Sequence, residues 1–233
     1  MDHEPVPPRT VVIAIDGPAG AGKSTIARRL AGRLGFTYID TGAMYRAVAL
    51  WALRQGLNPA DAQRMEPLAR AASIELAPGG AVRLNGEEIT TVIRTPEVAQ
   101  AASQVAVIPG VRRALVEKQR DMGARTSVVM EGRDIGSVVF PHADLKIFLD
   151  ARPEERVRRR YLEDVEKGKA VTPEFLAAEI RQRDERDRTR AEAPLTQAPD
   201  AIYVDSTGLS ADQVEEAILK LVRARISNGK VYS

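Results

Sequence analysis

The 233-residue sequence contains no cysteine and only two histidines, His3 and His142. The lack of cysteine excludes disulfide bonds, thiolate zinc sites and thiol nucleophiles, and it is typical of proteins in a reducing compartment. Because His3 lies in a proline-rich leader over residues 1–10, a histidine-centred mechanism is disfavoured. No apolar run reaches the roughly 20 residues of a membrane span, and the N-terminus lacks the pattern of a signal peptide. We therefore expect a cytoplasmic protein that does not bind membranes.

Aromatic residues and net charge are also scarce. Phe, Trp and Tyr make up 4% of the chain, and 34 basic residues against 32 acidic ones give a formal net charge of +2. So small a basic excess argues against nucleic acid as a partner. The hydrophobic content of 44% is that of an ordinary globular protein able to bury a full core.

Short apolar runs alternate with helical patterns along most of the chain. Residues 11–15 are a continuous β-branched run, as expected of a strand covered on both faces, and a helix follows from about Lys23 to a C-cap at Gly35. Four similar runs occur at residues 36–40, 127–130, 145–149 and 201–204. The sequence therefore predicts an α/β three-layer fold with a five-stranded parallel sheet.

Residues 73–90 break this alternation. Two short strand patterns at 73–76 and 81–84 are separated by Pro78-Gly79-Gly80, and Asn85-Gly86 is a two-residue hairpin signal before a third. This pattern predicts a small antiparallel β insertion in the α/β core.

The strongest functional motif lies between the first strand and its helix. Residues 17–24, Gly17-Pro18-Ala19-Gly20-Ala21-Gly22-Lys23-Ser24, match G-x-x-x-x-G-K-[ST] in full. The glycines let backbone N–H groups converge on phosphate oxygens, Lys23 reaches the β- and γ-phosphates, and the Ser24 hydroxyl can bind Mg²⁺. The alternative, a glycine-rich turn that binds nothing, does not require this strand-and-helix context. We refer to residues 17–25 as the P-loop and expect a nucleoside triphosphate there.

Charged residues cluster at positions that suit a second phosphorylated ligand. The segments 131–134 and 40–46 follow two of the predicted strands, and the carboxyl ends of parallel strands face the ligand crevice. Arginines also crowd residues 152–160 and 181–190, on either side of a predicted helical hairpin. Taken singly, such arginines are typical of a solvated helix face. Together they suit a mobile lid that brings guanidinium groups onto transferring phosphates.

These motifs, taken in order, resemble those of the bacterial cytidylate kinases, a family of P-loop nucleoside monophosphate kinases. The matching segments are residues 15–25, Asp40-Thr41-Gly42-Ala43-Met44-Tyr45-Arg46, 94–98, 102–106, Gly132-Arg133-Asp134-Ile135-Gly136 with 138–141, 146–151, and 183–190. The resemblance implies transfer of the γ-phosphoryl group of ATP to CMP or dCMP with Mg²⁺, by a protein that we expect to be a monomer. It also implies a P-loop core (1–59, 106–151 and 191–233), a nucleoside-monophosphate-binding insertion (60–105) and a helical lid (152–190).

The same resemblance implies a role for each matching position. The implied catalytic residues are Lys23, Arg133 and Arg183, and the donor nucleotide would bind Gly17, Pro18, Ala19, Gly20, Ala21, Gly22, Lys23, Ser24 and Thr25, with Ser24 on the metal. Arg46 and Arg133 would hold the phosphate of CMP. The cytosine would be surrounded by Thr41, Arg112, Asp134 and Arg190, and the ribose by Ser103, Arg183 and Asp187. Two positions depart from the family pattern: Glu131 stands where Asp is common, and Ser24 where some members carry Gly.

Two other functions remain open at this level. One is a small P-loop kinase with a different acceptor; Arg46, Arg112 and Arg133 favour an acceptor that already carries phosphate. The other is a P-loop RNA-binding ATPase, which would need exposed stacking aromatics and a basic surplus. The sequence offers no obvious general base. A monophosphate is already ionised at pH 7, so in-line positioning and charge neutralisation would suffice for transfer.

Overall fold

A computed structural model describes residues 10–226. The predicted leader, with His3, and residues 227–233 at the end of the predicted core lie outside the described residues. The strands are β1 (Val12–Asp16), β2 (Thr37–Asp40), β3 (Ile74–Leu76), β4 (Val82–Leu84), β5 (Glu87–Glu88), β6 (Val128–Gly132), β7 (Leu145–Asp150) and β8 (Ile202–Asp205). The α-helices are α1 (Lys23–Leu34), α2 (Thr41–Arg54), α3 (Ala62–Ala71), α4 (Pro96–Val105), α5 (Pro109–Arg125), α6 (Pro153–Glu166), α7 (Pro173–Thr189) and α8 (Ala211–Ile226). None of the helices within residues 10–226 has both the length and the apolar composition that a membrane span requires.

The central sheet has five strands in the order β2-β6-β1-β7-β8, and every neighbouring pair is parallel. This confirms the predicted sheet, with strand ends that differ by one or two residues. Glu131 and Gly132, expected after the third of these strands, belong to it as the last residues of β6. They do so because β6 pairs on both sides, and its ladder to β1 extends to Asp16 opposite Gly132.

Side-chain alternation on β1 builds the two faces of the sheet. Ile13 and Ile15 pack with residues of α1 and α8, such as Leu30 and Ile218. Ala14 packs on the opposite face with Val116 of α5 and with the neighbouring strands. Burial on both faces explains why β1 reads as a continuous apolar run.

The predicted β insertion forms a three-stranded antiparallel sheet in the order β3-β4-β5. Asn85 and Gly86 both have positive φ, 51° and 86°, as a two-residue hairpin turn between β4 and β5 requires. The insertion has no separate core. Its buried residues, such as Val82 and Ile93, belong to one apolar cluster with α2 and α5.

Gly17, the first residue of the P-loop, marks the tightest backbone contact between the loop and the sheet. Its φ is +147°, and a Cβ placed there would lie 2.0 Å from the carbonyl oxygen of Leu149 on β7. Since that oxygen belongs to the backbone of a central strand, it cannot move aside, and only glycine fits this position.

Asp16, the last residue of β1, joins the P-loop to the loop after β6. Its carboxylate accepts hydrogen bonds from the backbone N–H groups of Ile135 (2.8 Å) and Gly136 (2.7 Å), and its exposed fraction is 6%. These two N–H groups belong to the first residues of a π-helical turn over Ile135–Val139. They therefore have no hydrogen-bond acceptor within the turn itself. One buried side chain therefore fixes both loops at the carboxyl edge of the sheet.

We predict that Gly17→Ala lowers both the stability and the activity of the protein. The strained φ and the overlap with Leu149 should together lower the free energy of unfolding by roughly 1–3 kcal/mol. Gly32→Ala is the matched control, because Gly32 lies in α1 with open space at its Cβ position. This variant should gain up to ~1 kcal/mol from helix propensity. Chemical denaturation measures both changes, and equal stabilities of the two variants would contradict the close contact.

We predict a pH-dependent stability difference between the wild-type protein and Asp16→Asn. Burial raises the pKa of Asp16 from 3.8 to about 6, against the opposing effect of its two backbone hydrogen bonds. Between these values the folded protein binds the proton more tightly than the unfolded chain does. The stability of the wild type relative to the variant should therefore fall by ~3 kcal/mol as pH rises through this window. Denaturation at several pH values tests this, with Asp121→Asn, which removes an exposed carboxylate on α5, as the matched control.

Candidate active site

The donor end of the site is the P-loop, which connects β1 to the N-terminus of α1. Gly20 and Gly22 adopt positive φ, 76° and 90°, and turn the backbone around the helix N-terminus. The Nζ of Lys23 donates a hydrogen bond to the carbonyl oxygen of Pro18 (2.7 Å) within the loop. Ser24 and Thr25 are exposed in the first turn of α1. Convergent N–H groups and the positive end of the helix make this a binding site for phosphate.

Lys23 occupies an unfavourable position for a cation. Its side chain is buried, and burial lowers the pKa of Lys23 from 10.5 to about 7. The nearby cations Arg133 and Arg183 lower the pKa further, whereas Glu131 opposes them. Anionic oxygens bound beside Lys23 would therefore stabilise its charged form, which the carboxylates of the protein stabilise only in part.

Arg183, on α7, is also held close to other cations. Burial lowers the pKa of its guanidinium from 12.5 to about 10, and the charges of Arg133 and Arg46 add to the effect. No carboxylate within the described part of the chain lies at ion-pair distance from Arg183. Arg183 therefore lies within electrostatic range of Lys23, Arg46 and Arg133, and these four side chains form a group of neighbouring cations.

Two carboxylates orient the arginines of this group. The Nε of Arg133 donates to Asp187 of α7 (2.8 Å), and Arg46 donates through Nη2 to Asp40 (2.8 Å). Burial raises the pKa of Asp187, but Arg133 and Arg183 outweigh burial and hold the pKa below its usual value. The Nε of Arg46 is buried without a hydrogen-bond partner in the described structure. The arginines therefore keep donor capacity for an anion.

Next to this group lies a buried ion cluster. Arg112 donates through Nη2 to Asp134, and Nη2 of Arg190 lies 3.5 Å from the other oxygen of the same carboxylate. The Arg112 guanidinium also stands 5.7 Å from the ring centroid of Tyr45 on α2. The structure thus brings together three of the four residues expected around the base.

The remaining expected residues are placed differently. The hydroxyl of Thr41, which is buried at the start of α2, donates to the backbone carbonyl of Glu131 (2.7 Å). The hydroxyl proton of Thr41 is therefore already used in a hydrogen bond to the backbone at the end of β6. Ser103 is half-buried on α4, and no hydrogen bond joins its side chain to the arginines in residues 10–226. Arg183 and Asp187 lie one turn apart on α7, so two of the three residues expected at the ribose share one helix.

The structure adds residues that the sequence did not single out. Arg156 of α6 is buried and donates through Nη1 to the carbonyl of Ala19 (2.9 Å) and to Asp184 of α7 (2.5 Å). Asp184 also accepts from the N–H of Ala19 (3.3 Å). Arg159 donates to Ser206, which follows β8. Arg156 and Arg159 could be found in the sequence only as members of the segment 152–160, and Asp184 only as a member of the segment 183–190, because each partner is distant in the sequence.

The residues beside the P-loop fit a magnesium ion. Within residues 10–226, no group of three or more histidine or acidic residues is placed to hold a metal. The exposed hydroxyl of Ser24, however, lies close enough to the carboxylate of Glu131 to lower its pKa. Mg²⁺ prefers oxygen donors, keeps several waters and takes few protein ligands in nucleotide sites. Ser24 would bind it directly, and Glu131 would hold its waters.

The chain matches known proteins over almost its entire length. The sequence model of the cytidylate kinase family matches residues 13–224. A cytidylate kinase from Solibacter usitatus is 67% identical over 227 residues, which cover 97% of each chain. Another, from Citrifermentans bemidjiense, is 48% identical over 222 residues, covering 94% of this chain and 95% of the relative.

Comparison with solved structures agrees on the fold alone. The crystal structure of an uncharacterized protein from Eubacterium ventriosum superposes with a TM-score of 0.54 at 12% identity, covering 93% of this chain and 100% of that one. The family model and the full-length relatives carry the assignment, and they confirm the resemblance found in the motifs. The chain belongs to the cytidylate kinase family.

Proposed function

We propose that the four neighbouring cations are the centre at which the chain carries out the reaction of its family. As a cytidylate kinase, the chain transfers the γ-phosphoryl group of ATP to CMP or dCMP, giving ADP and CDP or dCDP. The observation that carries the proposed site is the proximity of Arg183 to Lys23, Arg46 and Arg133, together with the burial of Lys23. Cations that repel one another in this way are stabilised by an anionic ligand, and the phosphates of two nucleotides supply the negative charge.

On the donor side, the P-loop N–H groups and Lys23 bind the β- and γ-phosphates of ATP. Lys23 leaves the Pro18 carbonyl and follows the charge that develops between these two phosphates in the transition state. Bound Mg²⁺, held through Ser24 and the waters near Glu131, would neutralise further charge on the same phosphates.

On the acceptor side, Arg46 and Arg133 hold the phosphate of CMP. Asp40 and Asp187 fix the two guanidinium groups, so that their remaining N–H groups point to one place. Arg183 lies between donor and acceptor and stabilises the transferring group. The acceptor oxygen is already ionised at neutral pH, and no general base is needed.

The buried cluster of Arg112, Asp134 and Arg190 recognises the base. Cytosine presents an N4 amino donor beside the N3 and O2 acceptors, whereas uracil presents an O4 acceptor and an N3–H donor. Asp134 retains lone pairs after its contacts with the two arginines and accepts from N4. Thr41, with its hydroxyl turned to the backbone, shapes this end of the site, and Ser103 approaches the ribose from α4 together with Arg183 and Asp187.

The remaining assignments extend the same proposal. Residues 60–105 form the part that binds the monophosphate, residues 152–190 are the lid, and residues 1–59, 106–151 and 191–233 are the core. The lid hairpin supports this division, because Arg156 and Asp184 contact the P-loop at its base. A cytoplasmic monomer without nucleic-acid partners remains our expectation.

We predict that a panel of nucleoside monophosphates, tested with ATP and Mg²⁺, shows CMP and dCMP as the best acceptors. Lys23→Ala should lower kcat by about 10²–10³-fold, the usual effect of removing a charge-stabilising group from a transition state. Arg188→Ala, an exposed arginine on α7, should leave the rates unchanged. A coupled ADP-release assay measures the rates for the acceptor panel and for both variants. Activity of Lys23→Ala within a few-fold of the wild type would contradict the role assigned to Lys23.

We predict that Asp134→Asn narrows the preference for CMP over UMP. A carboxylate oxygen facing uracil O4 sets two acceptors against each other, at a cost on the order of 1–3 kcal/mol, whereas an amide can turn its N–H₂ towards O4. kcat/KM should therefore fall for CMP more than for UMP, as measured with both acceptors on protein shown to be folded by its melting curve. If Asp134 only anchors Arg112 and Arg190, both acceptors should lose equally, and the exposed Arg188→Ala should alter neither value.

A further inference from the structure

Tyr38 lies outside every role described so far, yet it contacts a central carboxylate of the site. It is half-buried on β2, two residues before Asp40. Its hydroxyl donates a hydrogen bond to Oε1 of Glu131 on the neighbouring strand β6, at 2.6 Å. A bond this short between a neutral hydroxyl and a carboxylate belongs to the stronger class of hydrogen bonds.

Glu131 needs such a donor. Its side chain is buried, and burial together with the nearby charge of Asp40 raises the pKa of Glu131 above its usual value. Lys23 and the hydroxyls of Ser24 and Tyr38 act in the opposite direction. The hydrogen bond from Tyr38 on β2 thus fixes the orientation of the carboxylate, which lies beside the P-loop hydroxyl of Ser24.

The ring of Tyr38 is itself held in place. The guanidinium of Arg28 on α1 stands 5.2 Å from the ring centroid, within the range of a cation–π contact. The side chain of Arg28 in turn approaches Gly80, in the turn between β3 and β4 of the insertion. Burial and the charges of Glu131 and Asp40 raise the pKa of Tyr38, so its hydroxyl stays protonated and remains a donor.

We propose that Tyr38 is a positioning residue for phosphoryl transfer, which acts by orienting Glu131 towards the nucleotide-bound magnesium at Ser24. The inference rests on the proposed function, since it assigns Glu131 to the metal's waters. Tyr38 touches neither nucleotide. The longer side chain of Glu131, at a position where the family pattern has Asp, reaches the hydroxyl of Tyr38 while the carboxylate stays beside Ser24.

The test compares nucleotide binding with and without the metal. Tyr38→Phe keeps the ring and its packing on Arg28 and removes only the hydroxyl. Calorimetry should show the Kd for ATP with Mg²⁺ raised about tenfold, the effect expected for the loss of one hydrogen bond to a charged group. The Kd for ATP in EDTA should stay unchanged, and kcat should fall while KM for CMP does not change. Tyr203→Phe, which removes an exposed tyrosine hydroxyl on β8, should alter none of these values.

A double-mutant cycle with Glu131→Gln separates positioning from general destabilisation. If Tyr38 acts through the carboxylate, Tyr38→Phe has no further effect on magnesium-dependent ATP binding in the Glu131→Gln background. An equal effect in both backgrounds, or a lower melting temperature with an unchanged Kd for magnesium-ATP, would overturn the proposal. Failure of the wild-type protein to phosphorylate CMP would instead refute the proposed function. The calorimetric test of Tyr38 measures only ATP binding, so its result does not depend on that activity.

Discussion

The hydrogen bonds from two backbone N–H groups to Asp16 set the geometry on which the rest of the site depends. They connect the end of β1, where the P-loop begins, to Ile135 and Gly136, which follow Arg133 and Asp134. The P-loop and the loop that carries Arg133 and Asp134 therefore have one common anchor. The carboxylate is buried at a cost, visible in its raised pKa, and two hydrogen bonds from the π-helical turn offset that cost in part.

The same edge of the sheet holds more positive charge than the protein neutralises. Lys23 and Arg183 both have depressed pKa values, and the first cause in each case is burial, followed by the charge of Arg133. Stability alone would not favour this arrangement, since like charges in a poorly solvated site repel. It becomes favourable when phosphate oxygens enter. The cations repel one another in the empty site and are neutralised by the ligand, so the site binds through electrostatic preorganisation.

Most of the fold could be predicted from the sequence because its signals are local. The apolar run of β1, the C-cap at Gly35 and the Asn85-Gly86 turn each depend on neighbouring residues, and the structure confirms all three. The site could be predicted only as a set of residues. The pairing of Arg133 with Asp187 joins positions 54 residues apart, and the bond from Arg156 to Ala19 joins positions 137 apart. Neither follows from composition or periodicity, since both depend on how α6 and α7 pack on the sheet.

The attachment of the hairpin formed by α6 and α7 shows how this packing links distant segments. At its base, the buried pair of Arg156 and Asp184 contacts both the N–H and the carbonyl of Ala19. Towards its tip, Asp164 is buried between Arg160 and Lys169 and holds the connection between the two helices. The hairpin therefore has a buried ion pair at its base and another near its tip, and the pair at its base contacts the P-loop. Breaking one partner of a buried pair is costly, whereas exposed pairs such as Lys167 with Glu163 contribute little. The P-loop and the base of the hairpin are consequently joined by direct hydrogen bonds at Ala19, made by a buried ion pair whose two partners lie on different helices.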